Sequence, residues 1–305
     1  MTTMLTAADV RSGLTAADSV AAMREAVLAA HRGELVAPAR LAADLDEGRL
    51  MFTVGRWRGR WFGYRAYDTF DRDQVDARDD QLVVVHDDVT GQLLGIVVGA
   101  ELGRRRTGAL GGVAVDALAP QSASTLGLVG SGEQAWTQLW AVSAVRDLDT
   151  VRIYSRDERR RQEFAERAGK ELGVAATAVP SARAAVDGAE IVILATSSPE
   201  PVVQTDWLAA GSHVTTLGPK QRGRSEFTED LLDSATVLVT DSTAQLDAYD
   251  PPALASGERH SGRVVGLGAV LAGAAPGRSG AVDRTVFLSV GLAGTEVALA
   301  AGLLT

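Results

Sequence analysis

A glycine-rich segment follows an apolar run near the middle of the chain. Residues 126–129 read LGLV, and they are followed by Gly130, Ser131, Gly132, Glu133, Gln134 and Ala135. In a G-x-G-x-x-A arrangement the first glycine makes a tight turn, the second lets a pyrophosphate approach the backbone, and the alanine lets the next helix lie close to the strand. The N-terminus of that helix offers backbone N–H groups to a phosphate. These six residues therefore predict a dinucleotide-binding turn.

The next apolar run, residues 151–154, is followed by Ser155, Arg156 and Asp157. An acid at this strand end accepts a hydrogen bond from the ribose 2′-hydroxyl of NAD, whereas a small hydroxyl followed by arginine suits the 2′-phosphate of NADP. Ser155 and Arg156 thus predict that NADP(H) is preferred, with NAD(H) as the other possibility. The alternative interpretation is that Arg156 begins a solvated helix and that Asp157 is a slightly displaced NAD-type acid.

Three hydroxyl residues, Thr196, Ser197 and Ser198, follow a third apolar run at residues 191–195. Open parallel sheets bind their ligands outside the carboxyl ends of the strands. The three residues are therefore predicted to contact the cofactor. The alternative is an ordinary serine-rich turn.

Short apolar segments alternate with helical patterns after residue 120. The apolar segments are residues 126–129, 151–154, 174–179, 191–195, 213–217 and 237–239, and the helical segments are residues 135–145, 157–172 and 181–187. This alternation predicts a doubly wound parallel sheet of the Rossmann type. Earlier in the chain, residues 81–99 contain two β-rich runs around a Thr-Gly turn, which predicts an antiparallel hairpin.

The Rossmann domain is predicted to interrupt another domain. Residues 241–262, with their Pro-Pro pair, are interpreted as a crossing out of it, and the apolar residues 285–304 as a buried helix that rejoins the first domain. We therefore expect an α/β chain in which residues 120–262 form the Rossmann domain. Residues 1–119 plus 263–305 are expected to form a split α+β domain for substrate binding and dimerisation.

Composition narrows the classes of function. A formal charge of −9 argues against a nucleic-acid partner. The chain has no Cys, which removes disulfides, thiolate nucleophiles and Cys-based metal sites, and its 4 His show no metal-ligand spacing. The apolar runs are too short for a membrane span, and residues 1–32 lack the pattern of a signal peptide. The sequence thus predicts a cytoplasmic protein that acts on small molecules and holds no metal.

Five segments of this sequence resemble the ornithine cyclodeaminase and mu-crystallin family: LGLVGSGEQAWTQL, VRIYSRDERR, ILATSSPEPV, WLAAGSHVTTLG and VFLSVGLAGTE. The likeness is strongest over residues 126–241 and 285–296. It implies a homodimer, a split substrate domain, an NAD(P) cofactor and chemistry at an amine or imine carbon next to a carboxylate. It also implies cofactor contacts by Leu217, Gly218 and Ser289.

Two arginines match the carboxylate-binding positions of the family. Arg40 lies in VAPARLA and Arg106 in GRRRTGA, which matches the family's R-T-x-A element. An α-carboxylate suits a planar two-donor partner, and arginine supplies one. For Arg40 the alternative is an exposed loop residue.

Two departures from the family pattern make the predicted pocket more basic. Arg65 stands in GYR where the family usually has lysine, and Lys220 stands in GPKQRGR where cyclodeaminases carry their catalytic aspartate. Lys220 is not a carboxylate base, so ornithine cyclisation is not favoured. Arg65 is effectively never deprotonated, so it is predicted to fix charge rather than to donate a proton. The alternative for Lys220 is a solvent-facing loop lysine.

The resemblance and these residues together predict an NAD(P)H-dependent imino-acid (ketimine) reductase, or the same oxidoreductase run backward as an amino-acid dehydrogenase. The proton donor is left open among Lys220, Tyr67 and water. Because several cations adjoin one another, we expect a second acidic group on the substrate, as in an imino-dicarboxylate such as iminosuccinate, with Arg65 or Lys220 meeting the distal carboxylate. The alternatives are a cyclodeaminase with a rearranged base, and a non-catalytic NADPH-binding protein like mu-crystallin.

Overall fold

The computed structural model describes residues 2–70 and 81–304, and it divides the chain into two units. The first unit comprises Met1–Arg106 with Gly291–Thr305, and the second comprises Thr107–Val290. The predicted boundaries, after residues 119 and 262, differ from these. The second boundary lies later because a strand at Thr285–Leu288 pairs within the sheet of the second unit.

Helices and strands alternate along the described chain as follows: β1 (Thr3–Leu5), α1 (Ala7–Gly13), α2 (Ala16–His31), β2 (Leu35–Val36), β3 (Leu41–Leu45), β4 (Gly48–Trp57), β5 (Trp61–Asp68), β6 (Leu82–Asp87), β7 (Leu93–Val98), α3 (Glu101–Leu118), β8 (Thr125–Val129), α4 (Glu133–Val142), β9 (Thr150–Tyr154), α5 (Glu158–Leu172), β10 (Ala176–Ala178), α6 (Ala182–Val186), β11 (Ile191–Leu194), β12 (His213–Thr216), β13 (Lys220–Gln221), β14 (Arg224–Ser225), α7 (Glu229–Ser234), β15 (Val237–Thr240), α8 (Thr243–Asp247), β16 (Val264–Gly266), α9 (Leu267–Leu271), β17 (Thr285–Leu288) and α10 (Thr295–Leu304).

The first unit is built on a seven-stranded sheet in the order β1-β7-β6-β5-β4-β2, with β3 also paired to β4. β1 pairs parallel to β7, and the other pairs are antiparallel. The predicted hairpin of residues 81–99 is confirmed as β6 and β7. Helix α10 packs on one face of the sheet, against β5, β6 and β7. The residue before the helix, Gly294, lies so close to Gly55 on β4 that a Cβ on Gly55 would overlap it.

The second unit contains an eight-stranded sheet in the order β10-β9-β8-β11-β12-β17-β15-β16. All its pairs are parallel, so the predicted doubly wound Rossmann-type sheet is confirmed. The strand order reverses around β8, with β9 on one side and β11 on the other. Parallel sheets bury both faces, and the short runs of isoleucine, leucine and valine in these strands supply two apolar clusters.

Two expectations about the later part of the chain are wrong. Residues 285–304 were predicted to be one buried helix, but they form strand β17, a glycine-containing turn and helix α10. Short apolar runs do not distinguish strand from helix, and Gly291 and Gly294 break this one. Residues 241–262 were predicted to leave the Rossmann domain, but they stay in the second unit, where β16 extends its sheet beside β15.

No helix among residues 2–70 and 81–304 is long and apolar enough to cross a membrane. The same residues contain no group of three or more His, Asp or Glu side chains arranged to hold a metal ion.

One histidine is part of the second unit's core. His213, at the start of β12, is fully buried, and its two ring nitrogens lie 2.9 Å from Thr285 Oγ1 and 3.0 Å from Thr215 Oγ1. Burial, reinforced by the positive charges of Arg278 and Arg146, lowers the pKa of His213 to about 3. The neutral ring is therefore a structural group, bonded to two hydroxyls.

We predict that His213 makes the protein less stable as the pH falls. The unfolded chain binds a proton near pH 6.5 while the folded chain resists it down to about pH 3. The free energy of unfolding should therefore fall between these values by up to about 1.4 kcal/mol per pH unit. Urea titrations across this range should show a flatter pH dependence for His213→Gln, whereas the exposed-site control His31→Gln should behave as wild type. Equal slopes for wild type and His213→Gln would contradict this role.

Candidate active site

The predicted cofactor residues of the second unit follow strands that end at one edge of the sheet. In a parallel sheet the carboxyl ends of all strands share an edge, and ligands bind there at the point where the strand order reverses. The following segments come directly after such strand ends: Gly130–Ala135 after β8, Ser155 and Arg156 after β9, Thr196, Ser197 and Ser198 after β11, Leu217 and Gly218 after β12, and Ser289 after β17.

The glycine turn has the geometry that a pyrophosphate site needs. Gly130 has φ +125°, and a Cβ there would overlap the carbonyl of Ala195, so a side chain does not fit. Gly132 is the N-cap residue of helix α4 and supplies no side-chain cap. No described atom lies within 4 Å of the position that its Cβ would take. Ala135, in the first turn of α4, is fully buried. The turn therefore leaves an uncapped helix N-terminus, which fits a phosphate group.

The end of β9 carries a hydroxyl and two arginines. Ser131 and Ser155 are joined through their hydroxyls at 2.9 Å, Arg156 is exposed, and Arg161 donates to the Ser155 carbonyl at 3.1 Å. The carboxylate of Asp157 caps helix α5 by accepting from the Arg160 amide at 3.0 Å, and this hydrogen bond lowers the pKa of Asp157. The acid at this strand end is thus used within the protein.

Glu226, which the sequence analysis missed, joins two of the predicted cofactor segments. Its side chain is fully buried. Oε2 accepts from the Thr196 amide (3.0 Å) and hydroxyl (2.8 Å), and Oε1 accepts from the Gly218 amide (2.6 Å). Burial raises the pKa of the Glu226 carboxyl, although the hydrogen bonds from Thr196 and the charge of Lys220 act in the opposite direction.

Ser198 is used locally, in a turn. Its hydroxyl donates to the carbonyl of Glu200 at 2.7 Å, and its amide donates to the Thr196 hydroxyl at 3.3 Å. Ser197 is exposed, and Ser289 is buried beside β12, where its amide donates to Thr216.

Lys220 is a buried lysine, contrary to the solvent-facing alternative. Only 2% of its surface is exposed, and its ammonium donates to the carbonyls of Gly218 (2.7 Å) and Leu217 (3.3 Å). It lies on β13, in a two-stranded hairpin with β14.

The first unit brings two of the predicted arginines to one carboxylate. Arg65 on β5 and Arg106 on α3 both donate to Oε1 of Glu296 on α10, the former at 3.0 Å. Arg65 also donates to Gln81 through Nε at 2.8 Å and lies over the ring of Tyr67 at 4.2 Å. The exposed fraction of the side chain is 15% for Arg65, 7% for Arg106 and 1% for Glu296.

Charge keeps this cluster ionised despite its burial. Burial alone raises the pKa of the Glu296 carboxyl, but Arg106 and Arg65 more than offset this effect, so the net shift is downward. Burial and the neighbouring Arg106 lower the pKa of Arg65, although Glu296 opposes them. Two guanidinium groups therefore share one buried carboxylate.

The side chains of Arg40 and Arg106 both end beside Gly291. A Cβ added to Gly291 would lie 3.1 Å from Arg106 Nη1 and 3.1 Å from Arg40 Nη2, and the φ of Gly291 is +90°. The two predicted carboxylate-binding side chains thus end beside one backbone position, and Arg40 is partly buried rather than fully exposed. Two guanidinium groups that end beside one backbone position suit a carboxylate.

Glu296 was also missed, although the sequence carries a signal for it. It is the lone charged residue between positions 285 and 304. A single acid within an apolar segment is expected to be buried beside a positively charged partner. The arginines elsewhere in the chain are candidates for that partner. The corresponding signal for Glu226 is weaker, because charged residues surround it on both sides.

A profile of the ornithine cyclodeaminase/mu-crystallin family matches residues 1–303. The chain belongs to this family. Among its relatives, the Delta(1)-pyrroline-2-carboxylate reductase of Bacillus cereus is 32% identical over 223 residues, which are 72% of this chain and 68% of that protein.

Solved structures of family members share the fold over nearly the whole chain. The Delta(1)-pyrroline-2-carboxylate reductase of Thermococcus litoralis, in complex with NADH and L-proline, has a TM-score of 0.89 at 27% identity, covering 99% of this chain and 95% of that one. An archaeal alanine dehydrogenase dimer with bound NAD has a TM-score of 0.89 at 26% identity, with the same coverage.

We predict that Glu296→Gln greatly destabilises the protein. Removing the carboxylate leaves two buried guanidinium groups without their counter-charge, which costs about 3–5 kcal/mol. Urea unfolding should show this loss. The control Glu163→Gln breaks the exposed pair with Arg159 and should change the free energy of unfolding by about 1 kcal/mol or less. Similar small changes for both variants would contradict the account of the cluster.

Proposed function

We propose that this protein is an NAD(P)H-dependent reductase of imino acids, or the same oxidoreductase run backward as an amino-acid dehydrogenase. The observation that carries the proposal is the buried Arg106, fixed by Glu296 and ending with Arg40 beside Gly291. It occurs in a chain whose second unit carries the dinucleotide turn, and in a family whose relatives include reductases of a cyclic imino acid.

The chain's own residues bind and orient the substrate. Arg106 and Arg40 hold the carboxylate next to the reacting carbon, and fixed geometry of this kind supplies much of the reduction of the barrier. The bound nicotinamide supplies or accepts the hydride. Arg65 contributes a permanent positive charge and, because it is effectively never deprotonated, no proton.

Cyclodeamination is not the function that the site favours. A rearranged base would have to be a carboxylate near Gly218, and Glu226 is the buried acid there. Both of its oxygens accept hydrogen bonds from the protein, from Gly218 and Thr196. A fully buried carboxylate engaged in this way holds backbone, and its burial disfavours direct contact with a substrate.

The charge of the first unit's cluster favours a substrate with two acidic groups. Arg65 and Arg106 donate to the buried carboxylate of Glu296, and Arg106 and Arg40 both end beside Gly291. Each guanidinium can donate to a carboxylate through two N–H groups, so a dicarboxylate would find more than one partner among them. We therefore favour an imino-dicarboxylate such as iminosuccinate.

NADP(H) is the cofactor form that we propose. Ser155 and Arg156 offer a hydroxyl and an exposed guanidinium after β9, and Arg161 adds a second cation near Ser155. Asp157 caps helix α5, which disfavours its use as an acceptor for the ribose 2′-hydroxyl of NAD.

We propose that the protein is a homodimer formed through the sheet of the first unit. Residues Val54, Tyr64, Val84, Ile96 and Met4 are aligned across five strands on the face opposite α10. Tyr64 is 37% exposed and Met4 65% exposed, whereas Val84 between them is 7% exposed. A partly exposed apolar row on a sheet is consistent with a protein–protein interface, and a related alanine dehydrogenase is a dimer.

The activity can be tested with pyruvate and oxaloacetate, each mixed with ammonia or methylamine. We expect oxidation of NADPH, with a higher kcat/KM for the oxaloacetate-derived imine. Arg106→Lys keeps the charge but loses the planar two-donor group, so it should lower kcat/KM by at least about tenfold for both substrates. The exposed-site control Arg49→Lys should be silent. No oxidation with any imine would refute the activity, and a preference for the pyruvate-derived imine would refute the dicarboxylate.

The cofactor form can be tested by replacing Arg156. A charge-assisted hydrogen bond to the 2′-phosphate is lost in Arg156→Ala, so the ratio of kcat/KM for NADPH to that for NADH should fall by about tenfold or more. Arg159→Ala, in the first turn of helix α5 and paired with Glu163, is the control and should leave the ratio unchanged. A wild-type enzyme that prefers NADH would contradict the proposal.

The oligomeric state can be tested by light scattering at micromolar concentration. We expect twice the chain mass of 31.9 kDa for the wild type. Ile96→Lys places a charge in the apolar row and should yield monomers, whereas Val89→Lys alters an exposed apolar residue in the β6–β7 turn and should remain dimeric. A monomeric wild type, or an Ile96→Lys dimer, would contradict this interface.

A further inference from the structure

The peptide groups around Gly218 are held by a buried acid on one side and a buried base on the other. The amide of Gly218 donates to Glu226 Oε1 at 2.6 Å, and its carbonyl accepts from Lys220 Nζ at 2.7 Å. The same ammonium donates to the carbonyl of Leu217 at 3.3 Å. One acidic and one basic side chain therefore fix a two-residue stretch directly after strand β12.

The two charged groups depend on each other. Lys220 is 2% exposed and Glu226 is 0% exposed, so each would be a costly isolated ion in the interior. The positive charge of Lys220 favours the ionised form of Glu226. Each therefore depends on the hydrogen bonds that it makes to the backbone of Gly218.

The pair also reaches the neighbouring strand. The second oxygen of Glu226 accepts from the amide and the hydroxyl of Thr196, directly after β11. A Cβ on Gly218 would overlap both the Thr196 carbonyl and Glu226 Oε2, so these strand ends pack without space for a side chain. The ends of β11 and β12 are thus locked at the edge where the predicted cofactor segments lie.

We propose that Lys220 and Glu226 form a clamp that positions the Thr196 and Leu217–Gly218 backbone for the nicotinamide cofactor, and that Lys220 is not the proton donor of the reaction. The proposal rests on the proposed function, because it assigns a role at the same cofactor site. Lys220 is then a positioning residue, which acts through the backbone that it holds.

The contacts of the ammonium disfavour its use as a proton donor. It donates to two carbonyl oxygens of the chain, which accept and do not donate. Loss of a proton would leave the nitrogen of a neutral amine facing carbonyl lone pairs in the interior, which is unfavourable.

The test compares three variants of the full-length protein. Lys220→Met removes the charge and its hydrogen bonds, Lys220→Arg keeps a charged donor that does not release a proton, and Lys170→Met changes the chain's other lysine, which is exposed on α5. NADPH binding is measured by the fluorescence of the reduced cofactor. The pH dependence of kcat is measured with the preferred imine, and thermal unfolding reports whether each variant is folded.

The clamp predicts that Lys220→Met weakens NADPH binding by about tenfold or more, the order expected when a charge-assisted hydrogen bond is lost. Lys220→Arg should bind NADPH within about threefold of wild type and keep both kcat and its pH profile, since arginine can hold the carbonyls. Lys170→Met should match wild type in every measurement.

Two results would overturn the clamp. If Lys220→Arg loses kcat and one limb of the pH profile while binding NADPH normally, Lys220 is the proton donor. If Lys220→Met leaves NADPH binding and kcat unchanged, Lys220 has no part in the site. Lys220→Arg decides between clamp and donor even when Lys220→Met does not fold. Wild-type protein that binds NADPH but reduces no imine would refute the proposed function and leave the binding test of the clamp intact.

Discussion

The carboxylate of Glu296 joins the buried guanidinium groups of Arg65 and Arg106, and the first unit depends on that junction. The three residues come from a strand, a helix and the C-terminal helix, separated by 231 and 190 positions in the chain from Glu296. None of the three charges is tolerable at such burial without the others. The sheet, α3 and α10 therefore have to be in place together before the arginines are fixed for substrate.

A second buried acid has the same kind of role in the other unit. Glu226 holds the backbone of Thr196 and Gly218, as Glu296 holds two side chains. Each acid has a basic group near it; Glu226 accepts from protein donors through both oxygens, and Glu296 accepts through Oε1. Acids used in this way create order around a site and leave the chemistry to the cofactor and to the groups that bind the substrate.

The candidate residues of the dinucleotide site could be identified from the sequence because each lies close in the chain to an apolar run. The Gly130 turn, the hydroxyls after β11 and the Ser155-Arg156 pair each lie within a few residues of an apolar run, so spacing alone reveals them. The pairing of Arg65 with Glu296 is not local, and no periodicity reports it. Strand β17 was missed for a related reason, because its four apolar residues form a strand only through neighbours distant in the chain.

The departures at Arg65 and Lys220 illustrate what sequence reasoning leaves open. Both were identified as unusual cations, but their partners decide what they do. Arg65 is committed to Glu296 and Gln81, and Lys220 to the carbonyls of Leu217 and Gly218. Their residue types allowed several roles, and their buried partners favour the positioning roles that we propose.

The central claim is that hydride passes between a nicotinamide cofactor and the carbon beside the substrate carboxylate. It is tested most directly with NADPH dideuterated at C4 and the imine formed from oxaloacetate and ammonia, with the amino-acid product examined by mass spectrometry and NMR. The account predicts one deuterium on the α-carbon for each NADPH oxidised. Amino-acid product without deuterium on the α-carbon, or NADPH that is bound but never oxidised, would contradict it.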